Sequence, residues 1–172
     1  PLSPTYPFEA IDKAFEHGEV KHIIGSESTL ENLTPQELPY VSGLWLSVQG
    51  KISCALCLDE WVVKVSGYSL EAPNIQGDEP LILTMTSGST GAPKPIVLTQ
   101  ANKYDRAFAA SKLYNVDQDD IVLAATPLYH SLAERLVIMP LLLGATAVIL
   151  PRFTPENWLS TVKNHKVTFT IA

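Results

Sequence analysis

Apolar and polar positions in the second half of the chain follow two alternating periods, which predict strands and helices in turn. Short apolar runs predict strands at 81–85, 96–98, 121–125, 145–150 and 167–171. Helices are predicted at 100–114 after the N-cap Thr99, at 132–143, where Pro140 should kink or end the helix, and from Pro155 onwards. Apolar strands that alternate with helices predict an α/β fold, with a mostly parallel sheet flanked by helices.

The first 77 residues show a less regular pattern. Phe8, Ile11 and Phe15 share one helical face, so a helix is predicted at 8–17, closed by Gly18. The other predictions in this part are strands at 20–24 and 61–65, a helix start at 34–37, and a loop or linker at 71–80.

In two predicted helices, the pattern also predicts which residues are packed and which charged residues are exposed to solvent. In helix 100–114, Tyr104, Ala107, Phe108 and Ser111 share one face, which should be the packed one, while Lys103, Asp105 and Arg106 should form a solvated face. Helix 132–143 is apolar nearly all round and should be buried. Glu134 and Arg135 interrupt it, which favours a solvated edge or an ion pair over a catalytic role.

Composition narrows the class of protein. Hydrophobic residues make up 46% of the 172 residues and charged residues 17%, which excludes a disordered chain. The net charge of −6 argues against a nucleic-acid surface. The longest apolar run, 136–150, is interrupted by Pro140 and Gly144 and is shorter than the ~18 residues of a membrane span, so no transmembrane segment is expected.

The two ends of the chain and its two cysteines lead to three further expectations. Residues 1–8 lack the basic start and apolar core of a signal peptide. Cys54 and Cys57 are too few for a disulfide scaffold and lack further metal-ligand partners, so we expect buried thiols in a cytoplasmic protein. The chain has no initiating Met and stops within an apolar run, so we expect a fragment of a larger protein.

Two predicted loops carry the candidate chemistry, because ligands of parallel sheets bind beyond the carboxyl ends of the strands. The first, 86–94, offers four hydroxyls, two glycines and one ammonium within nine residues. Glycines allow backbone N–H groups to approach an anion closely, hydroxyls add donors, and a lysine can reach phosphate oxygens. The candidate phosphate-binding residues are Thr86, Ser87, Gly88, Ser89, Thr90, Gly91 and Lys94. The spacing differs from the common nucleotide P-loop, since Pro93 precedes the lysine.

The string TSGSTGAPKP at 86–95 resembles the phosphate-binding signature of the adenylate-forming, AMP-binding superfamily, whose usual form is TSG(S/T)TGxPKG. Pro95 stands where that signature has glycine, so the exit of the loop should differ. The resemblance implies that 86–94 surrounds the β- and γ-phosphates of ATP and that the hydroxyl of Thr86 or Ser87 touches Mg²⁺. It covers 78–172, which we take as the AMP-binding core, part of a large N-terminal domain, with 1–77 as an upstream α/β part of the same domain.

The second loop, 127–131, reads PLYHS and resembles a second signature of acyl- and aryl-CoA synthetases, in which an aromatic–His pair lies by the acyl and ATP sites. His130 is therefore the candidate catalytic residue. Amino-acid-activating relatives tend to carry an Asp in this region, and none follows Pro127 here. The resemblance thus implies a small-molecule carboxylic acid without an α-amino group, such as a fatty or aryl acid.

The resemblance implies an ATP-dependent ligase that forms an acyl-adenylate and then an acyl thioester of coenzyme A. One alternative keeps the family and changes the acceptor, to the thiol of a carrier protein. Another, motivated by Pro95 and by the absence of the family's later signatures, is a non-catalytic α/β module that serves as an interaction surface. The fragment by itself should be inactive.

Overall fold

The computed structural model describes residues 2–3, 5–69, 71, 74–86 and 94–171. Its elements, in chain order, are α1 (Phe8–His17), β1 (Ile23–Ser26), α2 (Glu27–Leu30), β2 (Trp45–Val48), β3 (Leu56–Cys57), α3 (Leu58–Val65), β4 (Pro80–Thr86), β5 (Lys94–Thr99), α4 (Gln100–Tyr114), β6 (Ile121–Ala124), α5 (Ser131–Leu143), β7 (Thr146–Ile149), α6 (Pro155–His165) and β8 (Phe169–Thr170). The chain divides into two compact units, one of residues 2–74 with 85–95 and one of residues 75–84 with 96–171.

The unit of residues 2–74 and 85–95 contains a small parallel sheet in the order β1-β2-β3. Ile23 of β1 pairs with Trp45 of β2, and both side chains are buried with Leu30, Leu33 and Leu38 in one apolar cluster. Helix α1 has the predicted bounds and ends at Gly18, and its Ile11 and Phe15 pack against this cluster. The predicted strand at 20–24 is displaced toward the C-terminus, to 23–26.

The prediction of a strand at 61–65 is wrong, because these residues belong to helix α3. Leu58, Trp61 and Val65 are half-buried while the residues at 62–64 are exposed, which is helical spacing. Trp61, Val63 and Val65 also alternate in sequence, so Trp61 and Val65 fit both the helical period and the strand period. Two acidic residues in the first turn and Lys64 in the last favour the helix through its dipole.

The predicted helix start at 34–37 is a turn that does not continue. The Thr34 hydroxyl accepts the backbone N–H of Glu37 at 3.3 Å, as the side chain of a helix N-cap does, and it donates to the Glu37 carboxylate at 2.7 Å. Pro39 disfavours the helical conformation of Leu38, the residue before it. The start signal is therefore present without a helix to follow it.

The unit of residues 75–84 and 96–171 contains a parallel sheet in the order β7-β6-β8. Alternate residues of the central strand β6 belong to different cores. Val122 and Ala124 lie in a cluster with residues of α4 and α5, whereas Leu123 lies in a cluster against which Trp158 of α6 packs. The parallel sheet flanked by helices is confirmed here.

The helix bounds of this unit agree closely with the sequence pattern. Helix α4 occupies the predicted 100–114, and Thr99 and Asn102 form a reciprocal capping box at its start. Thr154 caps α6, whose first residue is Pro155. Pro140 is buried inside α5 without ending it, because the helix continues to Leu143 and stops at Gly144 in the left-handed conformation.

Full burial of α5 is not observed. Leu136 and Met139 are each 1% exposed, but Leu141 is 64% exposed and Leu142 is 47% exposed. Of the helices in the described part of the chain, none combines the length and hydropathy needed to span a lipid bilayer.

Candidate functional site

Strands β4 and β5 bound the candidate phosphate segment and pair with each other as a two-stranded sheet. Thr86 is the last residue of β4 and Lys94 the first residue of β5. The predictions for Ser87, Gly88, Ser89, Thr90 and Gly91 fall outside the described residues. Pro95 is the second residue of β5, so this strand lacks one backbone donor close to the segment.

The second candidate loop places His130 at the start of a helix. His130 is the N-cap of α5, with an extended backbone and no capping hydrogen bond from its side chain. The backbone fixes it on both sides, since its N–H donates to the Pro127 carbonyl at 3.0 Å and its carbonyl accepts the Glu134 N–H at 3.2 Å. The imidazole is exposed and tilts against the Tyr129 ring, with the ring centroids 4.6 Å apart. The predicted aromatic–His pair is thus in contact, and the imidazole is accessible to a ligand.

Two threonine hydroxyls lie near the ends of strands that lead into the candidate loops. Thr84 is in β4, two residues before its end, and Thr126 follows β6 and precedes Pro127. Both Oγ1 atoms are buried and have no hydrogen-bond partner among the described residues. A buried hydroxyl without a partner is costly, so each is suited to bond with a group outside those residues, such as a bound water or a ligand.

A buried ion pair, which the sequence pattern did not predict for Lys103, joins α4 to α5. The Lys103 ammonium contacts the Glu134 carboxylate, and the two side chains are 7% and 5% exposed. The prediction that Lys103 lies on a solvated face is therefore wrong. An ion pair was one of the two alternatives for Glu134, and it is the one observed.

More positive charge lies beside this pair. Arg106 and Arg135 line the same small cavity as Lys103, together with the Ser131 side chain at the first position of α5. The Arg135 Nε is buried and unpartnered within the described ranges. The start of α5 therefore combines the exposed His130 imidazole at its N-cap with the buried Lys103–Glu134 ion pair one turn later.

The two cysteine thiols form neither a disulfide nor a metal site among the described residues. Cys54 and Cys57 are free and half-buried, and the Cys54 Sγ lies 3.9 Å from the Leu33 carbonyl oxygen. Within the described residues, no three His, Cys, Asp or Glu side chains come together as a metal site.

Comparison with known proteins identifies the family. The family described as AMP-binding enzyme matches residues 1–172. The chain is 28% identical over 160 residues to malonate–CoA ligase of Xenopus laevis, covering 91% of this chain and 26% of that protein. It is 27% identical over 174 residues to the dimodular nonribosomal peptide synthase of Bacillus subtilis, covering 97% of this chain and 7% of that protein.

Solved structures share the fold. A crystal structure of a putative long-chain-fatty-acid CoA ligase from Rhodopseudomonas palustris superimposes with a TM-score of 0.85 at 17% identity, covering 99% of this chain and 42% of that one. The chain thus spans less than half of that structure and about a quarter of the malonate–CoA ligase. Because the family match extends over all 172 residues, the chain belongs to the AMP-binding enzymes of the adenylate-forming superfamily.

Proposed function

We propose that this chain contributes one wall of the active site of an ATP-dependent ligase that activates a carboxylic acid. The observation that carries the proposal is the hydroxyl- and glycine-rich segment 86–94, bounded by the paired strands β4 and β5 in a chain of the AMP-binding family. Paired strands lie at both ends of the segment, and backbone N–H groups beside glycines, together with hydroxyls, are donors suited to bind an anion.

The reaction we propose has two balanced steps. A carboxylate oxygen of the acid attacks the α-phosphorus of ATP, the bond to the bridging oxygen breaks, and pyrophosphate leaves from an acyl-adenylate. A thiol sulfur then attacks the acyl carbon, AMP leaves, and the thiol proton passes to solvent. In the first step residues 86–94 bind the β- and γ-phosphates, and the exposed His130 imidazole donates a hydrogen bond to a carboxylate or phosphate oxygen.

Magnesium fits this site only in part. Mg²⁺ prefers oxygen ligands and is commonly bound through one or two carboxylates together with substrate phosphates. The described residues bring together no cluster of three acidic or other metal-ligating side chains. We infer that the Thr86 hydroxyl supplies one ligand and that the carboxylate ligands come from outside this chain. When bound there, Mg²⁺ would supply positive charge that neutralises the phosphate oxygens.

The thiol acceptor is the finer part of the proposal. We infer coenzyme A, supported by the resemblance of PLYH at 127–130 to acyl- and aryl-CoA synthetases and by similarity to a malonate–CoA ligase. Similarity to a nonribosomal peptide synthase over 97% of the chain supports the alternative, a carrier-protein thiol. In both cases we place the AMP-binding core at 78–172, the upstream part at 1–77 and the enzyme in the cytoplasm.

The test is ATP–pyrophosphate exchange by the full-length protein with a panel of fatty acids, aryl acids and the amino acids. We expect exchange with one of the first two classes, and then thioester formation with coenzyme A in preference to a carrier protein. His130→Ala should lower the rate by at least about tenfold, whereas His165→Ala, at the exposed end of α6, should leave it unchanged. Preference for an amino acid, or equal rates in the two variants, would contradict the assignment of the 127–131 loop.

A further inference from the structure

The Lys103–Glu134 pair occupies equivalent positions in two helices. Lys103 is the fourth residue of α4 and Glu134 is the fourth residue of α5. Helix α4 begins directly after β5, whose last residue, Thr99, is the N-cap of the helix. Strand β5 in turn begins at the end of the candidate phosphate segment. Helix α5 begins directly after His130. The pair therefore joins the first turns of the two helices that follow the two candidate loops.

Helix stability does not explain Lys103. A cation near a helix N-terminus opposes the helix dipole, and a buried ammonium loses its hydration. Further along the two helices the α4–α5 contact is apolar, with Ala107 and Ala110 in one cluster with Leu136 and Met139. Replacement of a buried ion pair by apolar residues of similar size is commonly neutral or stabilising. The pair is therefore better suited to fixing one relative placement of the helices than to adding stability.

The link to the candidate catalytic residue is short. The Glu134 backbone N–H donates to the His130 carbonyl at 3.2 Å, so the anchored residue and the N-cap share one hydrogen bond of the first turn. Any shift of Glu134 along or around the axis of α5 moves the His130 backbone with it. The imidazole makes no capping bond of its own, so its placement depends on that backbone and on the Tyr129 ring.

We propose that Lys103 and Glu134 are positioning residues, which hold His130 in register with the strand that leaves the phosphate segment. This role rests on the proposed adenylation function. It assigns to the pair an effect on the rate of the chemical step rather than on ATP binding, since the ground-state contacts of ATP would come from residues 86–94.

The test uses the full-length protein with three variants. K103M/E134M replaces both charges with apolar side chains of similar length, and E134D keeps the charge but shortens its reach by one methylene. K51M/E60M is the matched control, because it removes an ion pair whose side chains are 77% and 57% exposed and which lies in the other unit. Each protein is assayed for kcat and KM of ATP in pyrophosphate exchange and for Tm.

We expect K103M/E134M to retain its Tm to within about 5 °C while its kcat falls by about tenfold or more and its KM for ATP changes less than about twofold. E134D should lose kcat several-fold, and K51M/E60M should match the wild type. A wild-type kcat in folded K103M/E134M overturns the proposal. If that variant does not fold, E134D decides, and its wild-type kcat likewise overturns the proposal.

A second readout separates this inference from the proposed function. In protein labelled with ¹³C-histidine, the His130 imidazole resonance, assigned with His130→Asn, should broaden or split in E134D and in K103M/E134M and stay unchanged in K51M/E60M. An unchanged His130 resonance in the two Glu134 variants counts against the positioning role, whether or not the wild type is active. Absence of exchange activity in the wild type would reject only the adenylation function.

Discussion

Two leucines of α5 provide a direct test of how this helix packs. Leu136 is 1% exposed and Leu141 is 64% exposed, so the same substitution five residues apart deletes either a core side chain or a solvated one. Leu136 shares its cluster with Ala107 and Ala110 of α4, whose methyl side chains cannot extend to refill a cavity, and with Met139, which can do so in part. Leu136→Ala should therefore cost about 3–4 kcal/mol, within the range for buried leucines. Leu141→Ala should change stability by less than about 0.5 kcal/mol.

The measurement is urea unfolding of the 172-residue chain, with a probe confined to the relevant unit. Trp158 packs against the Leu123 cluster of the same unit as α5. Replacing Trp45 and Trp61 by phenylalanine in every variant leaves Trp158 as the fluorescent reporter, and their own effect cancels in the comparison. Equal m-values would show that the variants unfold the same amount of surface. If the two leucine variants differed by less than about 1 kcal/mol, the assignment of this face of α5 to the core would be refuted.

Three further predictions concern the phosphate segment, a helix cap and a carboxylate. In the full-length enzyme, Lys94→Ala should lower kcat/KM for ATP by about tenfold. Gly88→Val should lower it much more, because a β-branched side chain blocks close approach of the backbone to the phosphates. Near-normal kinetics of Gly88→Val together with loss of activity in Lys94→Ala would show that the lysine dominates. Thr99→Ala should lower the free energy of unfolding by about 1 kcal/mol by removing the α4 cap, and Thr99→Ser should restore most of it. The hydrogen bond from the Thr168 hydroxyl holds the pKa of Asp120 below its ordinary value, so this carboxylate stabilises the fold above the unfolded-state pKa of about 4, and the contribution is lost as the pH falls through the lower folded-state pKa. The stability difference between wild type and Asp120→Asn should thus be constant above about pH 5 and shrink below about pH 4; a difference that grew on acidification would contradict this sign.

Elements with strong local signals could be predicted from sequence almost to the residue. Helices α4 and α6 each begin after a threonine whose hydroxyl accepts a backbone N–H of the first turn, at Asn102 and Asn157. Such a cap acts over three residues, so neighbouring sequence contains the whole interaction. Pro155 at the first helical position adds a second local signal.

Prediction failed where two local signals within a few residues of each other favoured different structures. At 61–65 the valines favour a strand, but the acidic first turn and the spacing of Leu58, Trp61 and Val65 favour the helix that forms. At 34–37 the Thr34 hydroxyl accepts the Glu37 N–H as an N-cap does, yet Pro39 opposes the next helical turn. Each outcome depends on the balance of terms of about 1 kcal/mol, which the presence of a signal alone does not give.

The buried face of α4 shows why the sequence pattern did not predict the Lys103–Glu134 ion pair. Tyr104 and Phe108 were assigned to the packed face because aromatic side chains are usually buried, but they are 50% and 37% exposed and stack on each other. Ala107 and Ser111 of the predicted face are buried as expected, but the packed face continues through Lys103 and Ala110 rather than through the two aromatic side chains.

The correct face follows from volume and charge considered together across both helices. Leu136 and Met139 of α5 supply the large side chains of the shared core, so the facing positions of α4 must be small, which selects Ala107 and Ala110. A helix face that contains those two alanines also contains Lys103, one turn before Ala107. Glu134, the acidic residue of α5, requires a cation when it is buried, and the facing helix offers Lys103 at that level. The partner of Glu134 can therefore be derived from the two helices as a pair, whereas neither helix pattern taken alone contains it.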